Sequence, residues 1–369
     1  MFQFFQKAER RGKSFYGQRK EDEIMKTLVV NQDGSLELRK VPKPSYTEKQ
    51  ALVRMVSCGI CNGTDAKLIH QNFKGVEKDS YPIMLGHEGV GEIVEVGSKV
   101  TSYHIGDKVL LPFVDADPVK YPGLSSAWGA FSEYGVVSDA AAFHDGSVPE
   151  SAYAQTVLPD YVDPVDAAMI VTLREVLSSI KRFGIKANES VAVFGCGPVG
   201  LTFIRFMSLL GVHPIIAFDI KDEKKKEAEQ MGADYFFNSK TDDPKTEIRK
   251  ICPGGVKYGL DAVGMLSLIN QSMEFIQDQG KMCCYGISPK TSMEIDWSKA
   301  PYNWQLQFQQ FPSKMEEGEV TNQILAWIRT GVIDLKDYIS DYFHWDQVLD
   351  AFDKLSRREI AKKGIVIFD

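Results

Sequence analysis

Short apolar runs punctuated by glycine, proline and aspartate open the regular part of the chain. Met25-Lys-Thr-Leu-Val-Val30, Ala51-Leu-Val-Arg-Met-Val56 and Gly91-Glu-Ile-Val-Glu-Val-Gly97 all have the length and the borders of strands. From Thr27 to about Val114 the pattern predicts closely spaced strands, hence a barrel-like or sandwich-like domain. The period changes at Asp166. Residues 167–183 read as a helix, after which strand and helix alternate through Asp219, Gly232 and Asp261 to Met282-Cys-Cys-Tyr-Gly286. Such alternation predicts a parallel, doubly wound sheet and an α/β fold class. Helices at 320–330 and around 345–355 follow, then a last strand, Gly364-Ile-Val-Ile-Phe368. No internal repeat or low-complexity tract is evident.

One junction in the alternating half carries chemistry. The apolar run Val191-Ala-Val-Phe194 flows into Gly195, Gly197 and Gly200 at GxGxxG spacing, with Cys196, Pro198 and Val199 between them. Gly195 permits a tight turn after the strand, Gly197 lets the backbone approach a pyrophosphate, and Gly200 allows the following helix, 201–210, to lie close to the strand. The helix N-terminus then offers unpaired N–H groups to the anion. A second apolar run, Pro214-Ile-Ile-Ala-Phe218, ends in Asp219, about 20 residues beyond the glycines, where a carboxylate accepts hydrogen bonds from ribose hydroxyls. That acid repels a ribose 2′-phosphate and favours NAD over NADP, while Lys221, Lys224, Lys225 and Lys226 soften the repulsion.

Composition narrows the class. At 369 residues two domains are expected, and 44% hydrophobic with 25% charged residues describes an ordinary globular protein. A formal net charge of −7 argues against a nucleic-acid or anionic-membrane surface, and no stretch supplies the roughly 18 apolar residues that span a bilayer. The six cysteines, at 58, 61, 196, 252, 283 and 284, are irregularly spaced, which fits a reducing cytoplasm better than a disulfide framework. Residues 1–25, with interspersed Phe, Lys and Arg, read as a disordered extension and lack a secretory apolar core.

In the β-rich half, Cys58-Gly-Ile-Cys61-Asn-Gly-Thr64-Asp65 precedes Leu85-Gly-His87-Glu88-Gly89 by about two dozen residues. A thiolate, an imidazole and a carboxylate are three suitable ligands for Zn²⁺, and three protein ligands leave a fourth position for water or substrate. Zinc there would act as a Lewis acid on an alcohol or carbonyl oxygen.

From residue 26 to the end the chain resembles the zinc-containing medium-chain alcohol and polyol dehydrogenases. The resemblance is carried by Cys61 to Asp65, Gly86-His87-Glu88-Gly89 running into Gly97, Gly106-Asp107-Lys108-Val109, Gly129-Ala-Phe-Ser-Glu133-Tyr134, Gly195 to Gly200, Asp219, Met231-Gly-Ala-Asp234, Asp261-Ala-Val-Gly264 and Gly331-Val-Ile-Asp-Leu335. It implies a GroES-like catalytic domain in two segments, 26–171 and 313–369, around a Rossmann NAD-binding domain at 172–312. It also implies Cys61 and His87 as zinc ligands, with Glu88 completing the site as in the sorbitol dehydrogenase-like branch. Thr64 corresponds to the hydroxyl that bonds the substrate oxygen and starts a proton relay, and Asp65 to an acid that orients a ligand. The cofactor-binding set it implies is Gly195, Gly197, Pro198, Val199, Gly200, Asp219, Lys224, Gly286 and Ile287.

Several positions depart from that family's pattern. Two residues, Asn62 and Gly63, separate Cys61 from Thr64 where relatives have one. Val171 stands where relatives place a further Cys or Glu near the metal, and valine cannot bind zinc. Glu175, Lys67 and His70 occupy places near the expected nicotinamide or proton relay, with a surface or helix-start role as the plainer reading. His104, His144, His213 and His344 have no evident partners. From Leu111 to Phe143 there is no cysteine, so one catalytic zinc and no structural zinc is expected. The reading is then a zinc-assisted oxidoreductase passing hydride between a secondary alcohol of polyol or sugar type and NAD, assembled as a homodimer or homotetramer. A zinc-free NAD(P)-dependent reductase of the same fold and a non-catalytic NAD-binding sensor are the alternatives.

Overall fold

Alternation in the first 140 residues is resolved as eight strands in the computed structural model, which describes residues 24–368 except 145, 289 and 291. They are β1 (Ile24–Val30), β2 (Leu36–Pro42), β3 (Gln50–Ile60), β4 (Ile83–Met84), β5 (Glu88–Val96), β6 (Lys108–Leu110), β7 (Ser125–Ser126) and β8 (Tyr134–Ser138). Helix α1 (Thr64–Ile69) leaves the end of β3, and α2 (Met169–Phe183) begins at the end of this half. The predicted extension lies outside the described residues up to residue 23; Ile24 and Met25 already pair with Pro42 and Val41 in β1–β2.

The alternating region supplies β9 (Val191–Phe194), α3 (Pro198–Leu209), β10 (Ile215–Asp219), α4 (Lys225–Met231), β11 (Tyr235–Asn238), α5 (Pro244–Ile251), β12 (Val256–Asp261), α6 (Ser267–Ser272), β13 (Ile276–Cys284) and β14 (Trp304–Phe308). These strands form one six-stranded parallel sheet in the order β11-β10-β9-β12-β13-β14. Apolar side chains such as Ala192, Ile216, Ile248, Phe275 and Met282 are fully or almost fully buried around it. Adjacent strands β9 and β10 leave their carboxyl ends side by side, which is where ligands bind in open sheets of this kind.

The chain then adds α7 (Lys314–Arg329), β15 (Ile339–His344), α8 (Val348–Ser356) and β16 (Lys363–Ile367). Helix α7 starts six residues before the predicted position because Ser313 caps it with a capping box to Glu316. Strand β16 returns to the first half, giving the sheet order β15-β16-β3-β5-β6, with β8 also paired to β3; β2, β1, β4 and β7 make a separate four-stranded sheet. Contacts accordingly divide the chain into two units. One runs to Thr172 and resumes at Ser313; the other is Leu173–Pro312. Among the described residues no helix is long and apolar enough to cross a membrane.

Candidate metal and dinucleotide sites

Strand pairing assembles the first site. β3 and β5 run antiparallel with Gly59 opposite Glu88, so Cys61, two residues past Gly59, and His87, one residue before Glu88, emerge at the same end. The turn after β3 is closed twice by Asp65: its backbone N–H donates to the Cys61 carbonyl at 3.0 Å, and its Oδ2 accepts the Cys61 N–H at 2.9 Å. The two-residue spacer Asn62-Gly63 leaves Thr64 buried at the start of α1, its backbone N–H donating to Cys61 Sγ at 3.4 Å.

Cys61, His87 and Glu88 bring one ligand atom each to within 4.8 Å of the others. His87 turns its two nitrogens in opposite senses: Nδ1 lies 3.4 Å from Asp65 Oδ1, and Nε2 lies 3.9 Å from Glu88 Oε1. Donors around a tetrahedral zinc stand roughly 3.3–3.8 Å apart, given bonds of about 2.0–2.3 Å, so the set is slightly open but of the right kind. His87 Nδ1 and Asp65 Oδ1 are both buried, and neither has a fully formed hydrogen bond. A cation on Nε2 makes Nδ1–H a stronger donor toward that carboxylate, so the orphaned pair fits a metal on the far side of the ring. Burial works against protonation of His87, but hydrogen bonds and charge from Asp65 and Cys61 outweigh it and hold the imidazole pKa well above its usual range.

Glu88 has more than one claim on it. Lys363 Nζ donates to both of its carboxylate oxygens, at 2.8 and 2.7 Å, and Thr172 Oγ1 donates to Oε1 at 3.0 Å. β3 lies between β5 and β16, so this lysine reaches Glu88 across a strand, where Gly364 pairs with Ile60. Gly59 makes the crossing possible: a Cβ there would stand 2.2 Å from Glu88 Oε2. Neither Lys363 nor Thr172 was legible as a site residue. The one available signal was a lysine opening an otherwise apolar C-terminal run. Val171, beside Thr172 on α2, is fully buried and offers no ligand.

The remaining candidates, in either unit, lie outside this cluster. Lys67 is half-buried, and burial lowers its pKa against the raising influence of Cys61. His70 is exposed where α1 ends. Two of the histidines that looked partnerless have acids beside them, His104 with Asp107 at 3.5 Å and His213 with Asp234 at 3.1 Å, in exposed positions. Glu175 is half-buried on α2.

The second site lies in the other unit. Gly195 adopts φ +99°, and Gly197, at φ −73°, caps α3 with no side-chain hydrogen bond closing the helix end. Pro198 takes the first helical position, where its missing N–H costs nothing. The three glycines differ in what a side chain would meet. A Cβ on Gly200 would stand 1.8 Å from the Gly195 carbonyl oxygen, one on Gly195 would stand 2.4 Å from Val263, and one on Gly197 would meet nothing within 4 Å. Gly197 therefore faces open space beside Val199, as a phosphate-approach position requires. Cys196 turns inward, and burial pushes its thiol pKa up to about 12, leaving it neutral.

Asp219 ends β10 with one carboxylate oxygen accepting the Cys196 N–H at 2.7 Å and the other the Lys221 N–H at 3.1 Å, so the acid is tied to the glycine loop. Lys224 is committed to Glu227 at 2.9 Å. Gly286 and Ile287 follow β13 and abut the Asp261 turn: a Cβ on Gly286 would stand 2.0 Å from the Gly264 nitrogen, and Asp261 accepts the N–H groups of Val263 and Gly264.

These features define a two-unit protein with a thiol–imidazole–carboxylate group in its β-rich half and a dinucleotide-type glycine turn in its parallel sheet. Comparison with known families agrees. Residues 47–149 match the alcohol dehydrogenase GroES-like domain and residues 198–320 the zinc-binding dehydrogenase domain. The (R,R)-butanediol dehydrogenase of Bacillus subtilis is 28% identical over 272 residues, 68% of this chain and 74% of that protein. An alcohol dehydrogenase of Geobacillus stearothermophilus is 29% identical over 288 residues, 73% of this chain and 79% of its own. Among solved structures, a zinc-binding dehydrogenase from Sinorhizobium meliloti 1021, described as bound to NADP, superposes with a TM-score of 0.76 at 25% identity, covering 94% of this chain and 99% of that one. The chain belongs to the medium-chain zinc alcohol dehydrogenase family.

The glycine geometry yields a paired expectation. Gly200→Ala should destabilise the fold by about 1–3 kcal/mol or more, because the Gly195 carbonyl cannot yield without breaking the turn. Gly197→Ala should leave the melting temperature near wild type yet weaken NADH binding by roughly tenfold or more, an affinity change of about 1.4 kcal/mol. Thermal melts and NADH fluorescence titrations on the two variants check this, and equal effects in both assays would refute the assignment.

Proposed function

We propose that this protein is a zinc-assisted dehydrogenase that passes hydride between a secondary alcohol of polyol or sugar type and NAD. The observation that carries the reading is the convergence of Cys61, His87 and Glu88 within 4.8 Å, with Asp65 behind the imidazole. Cys61 and His87 would hold the ion, with Glu88 as the third protein group, one ion per chain. When bound, zinc would supply Lewis acidity that lowers an alcohol's pKa, and NAD would supply the hydride acceptor.

The chain's own groups do the rest. Asp65 keeps the His87 Nε2 lone pair turned toward the ion by accepting from Nδ1–H. Thr64, buried beside Cys61, takes the alcohol proton and hands it toward solvent. Gly197 and the open end of α3 receive the pyrophosphate, Asp219 the adenosine ribose, and the backbone at Gly286–Ile287, with Val199, the nicotinamide. The oxidation is balanced when the carbinol C–H leaves as hydride and the O–H proton reaches solvent, giving a carbonyl and NADH.

A diol relative, the butanediol dehydrogenase, supports the polyol preference. The Asp219 carboxylate supports NAD, although one relative is described with NADP. Six free cysteines accord with a reducing cytoplasm. Association as a homodimer or homotetramer is proposed through the outer strand β14, whose Phe308 and flanking Tyr302 are exposed. A zinc-free reductase of the same fold is favoured by two features, Val171, which offers no ligand, and the capture of both Glu88 oxygens by Lys363.

The test is metal analysis of the purified protein joined to a polyol screen with NAD and NADP. About one zinc per chain and NAD preferred at least tenfold are expected, with Asp219→Ala narrowing that preference. Turnover that survives complete demetallation would transfer the protein to the zinc-free reading, and tight NAD binding with no oxidation of any alcohol to the sensor reading.

A further inference from the structure

Trp128 is the one bulky side chain on the segment facing His87 whose backbone is held in a conformation that suits glycine. Its φ is +68°, and Gly129 after it is at +65°, so two successive residues are left-handed. For an indole-bearing residue that conformation is disfavoured, and it persists only where the surroundings impose it. They do so here. Ala127 N–H donates to the Met84 carbonyl at 2.8 Å, Val114 N–H to the Trp128 carbonyl at 2.8 Å, and Ala130 N–H to the Gly86 carbonyl at 2.9 Å. The segment is therefore stitched against the 84–87 turn, where Gly86, at φ +105°, has no room for a Cβ: one would stand 2.5 Å from Phe131 N.

Core burial does not explain a tryptophan at this place, because Trp128 is only partly buried, whereas Trp345 is 6% exposed. What the position does provide is a neighbour. The indole lies against the imidazole of His87, ring centroids 5.4 Å apart and planes tilted by 50°. A residue in contact with a metal ligand and still open to solvent borders the space in which a substrate oxygen would meet the metal.

We propose that Trp128 is a specificity-determining wall that stacks on the C–H face of a cyclic polyol. This rests on the dehydrogenase reading above. The indole face is broad, apolar and electron-rich. A ring polyol with equatorial hydroxyls presents a matching face of weakly positive C–H bonds and keeps its hydroxyls at the rim, where one can reach the Cys61–His87 centre. A small open-chain alcohol covers little of that face and gains little from it.

The experiment uses zinc-loaded wild type, Trp128→Ala and Trp128→Gly, with zinc content and NADH affinity measured first and expected unchanged. With NAD, kcat/KM is then compared for myo-inositol, sorbitol, 2,3-butanediol and benzyl alcohol. Wild type should favour the ring polyol. Both variants should lose about 10–100-fold on it, mainly through KM, and less than about threefold on butanediol, the range that removal of one apolar contact surface spans. Trp128→Gly should melt at or above the wild-type temperature, since it relaxes the left-handed backbone.

Equal losses on all substrates, or a loss confined to benzyl alcohol, would overturn the proposal. Direct titration of the zinc-loaded protein with myo-inositol separates the two levels of the reading. If no alcohol is oxidised the dehydrogenase assignment fails, while inositol binding that Trp128→Ala abolishes still upholds the wall and inositol binding it leaves intact refutes it.

Discussion

Replacing Cys61 with serine is expected to strip the metal and cut turnover by at least about 10³-fold, equivalent to roughly 4 kcal/mol of lost transition-state stabilisation. Serine keeps the size of the side chain but remains protonated at neutral pH and is a poor ligand for a borderline-soft ion. The local fold should survive. Cys61 is only partly buried, and the turn that holds it is closed by the Asp65 carboxylate on the Cys61 N–H and by the Asp65 N–H on the Cys61 carbonyl, neither of which uses sulfur. Metal content, thermal melting and NAD-coupled activity should separate cleanly: zinc and activity lost, melting nearly retained. Full activity in a zinc-free Cys61→Ser protein would end the metal mechanism.

In the zinc-free protein Lys363→Met is expected to be the most damaging single change outside the ligand set, at about 3–5 kcal/mol, because it leaves a fully buried carboxylate without the lysine that both its oxygens accept from. Burial by itself pushes the Glu88 pKa up, and it is chiefly Lys363, then His87, that brings it below the usual carboxylate value. A depressed pKa means that the pair's stabilisation is complete above the unfolded-state value and is lost as pH falls through the folded one. Wild type should therefore weaken toward acid at this site. In Lys363→Met burial dominates, Glu88 takes up a proton, and that acid-side loss should vanish. The double variant Glu88→Gln/Lys363→Met should recover most of the stability, since neither member of the pair is then left as an uncompensated buried charge. Thermal melts across pH on the three proteins check it. A single variant as stable as wild type would show that the pair contributes nothing, and a double variant no better than the single would show that the damage is to packing.

Legibility differed between the two halves for a physical reason. In the parallel sheet, strand, turn, helix and acid follow one another within about 30 residues, so local sequence carries the geometry. Gly195, Gly197 and Gly200 occur at the spacing of a strand–turn–helix, and Gly195 and Gly200 prove to have steric reasons of their own while Gly197 faces open space. Boundaries were less legible, because caps and pairings act at a distance. β3 runs on from Val56 to Ile60 because β5 and β16 both pair with that stretch. The acid beside His213 was hidden for a similar reason: Asp234 is 21 positions away in sequence and only 3.1 Å away in space.

By itself the sequence determined the order of elements, the dinucleotide-type turn and the residue types that could meet a metal, because periodicity and short spacings are properties of neighbouring residues. Tertiary structure alone decided what surrounds those residues. It set Lys363 across β3 from Glu88 through the gap at Gly59, Thr172 on the same carboxylate, and Trp128 against His87. These partners are brought together by sheet register and by main-chain bonds between distant segments, and a linear pattern carries no record of either.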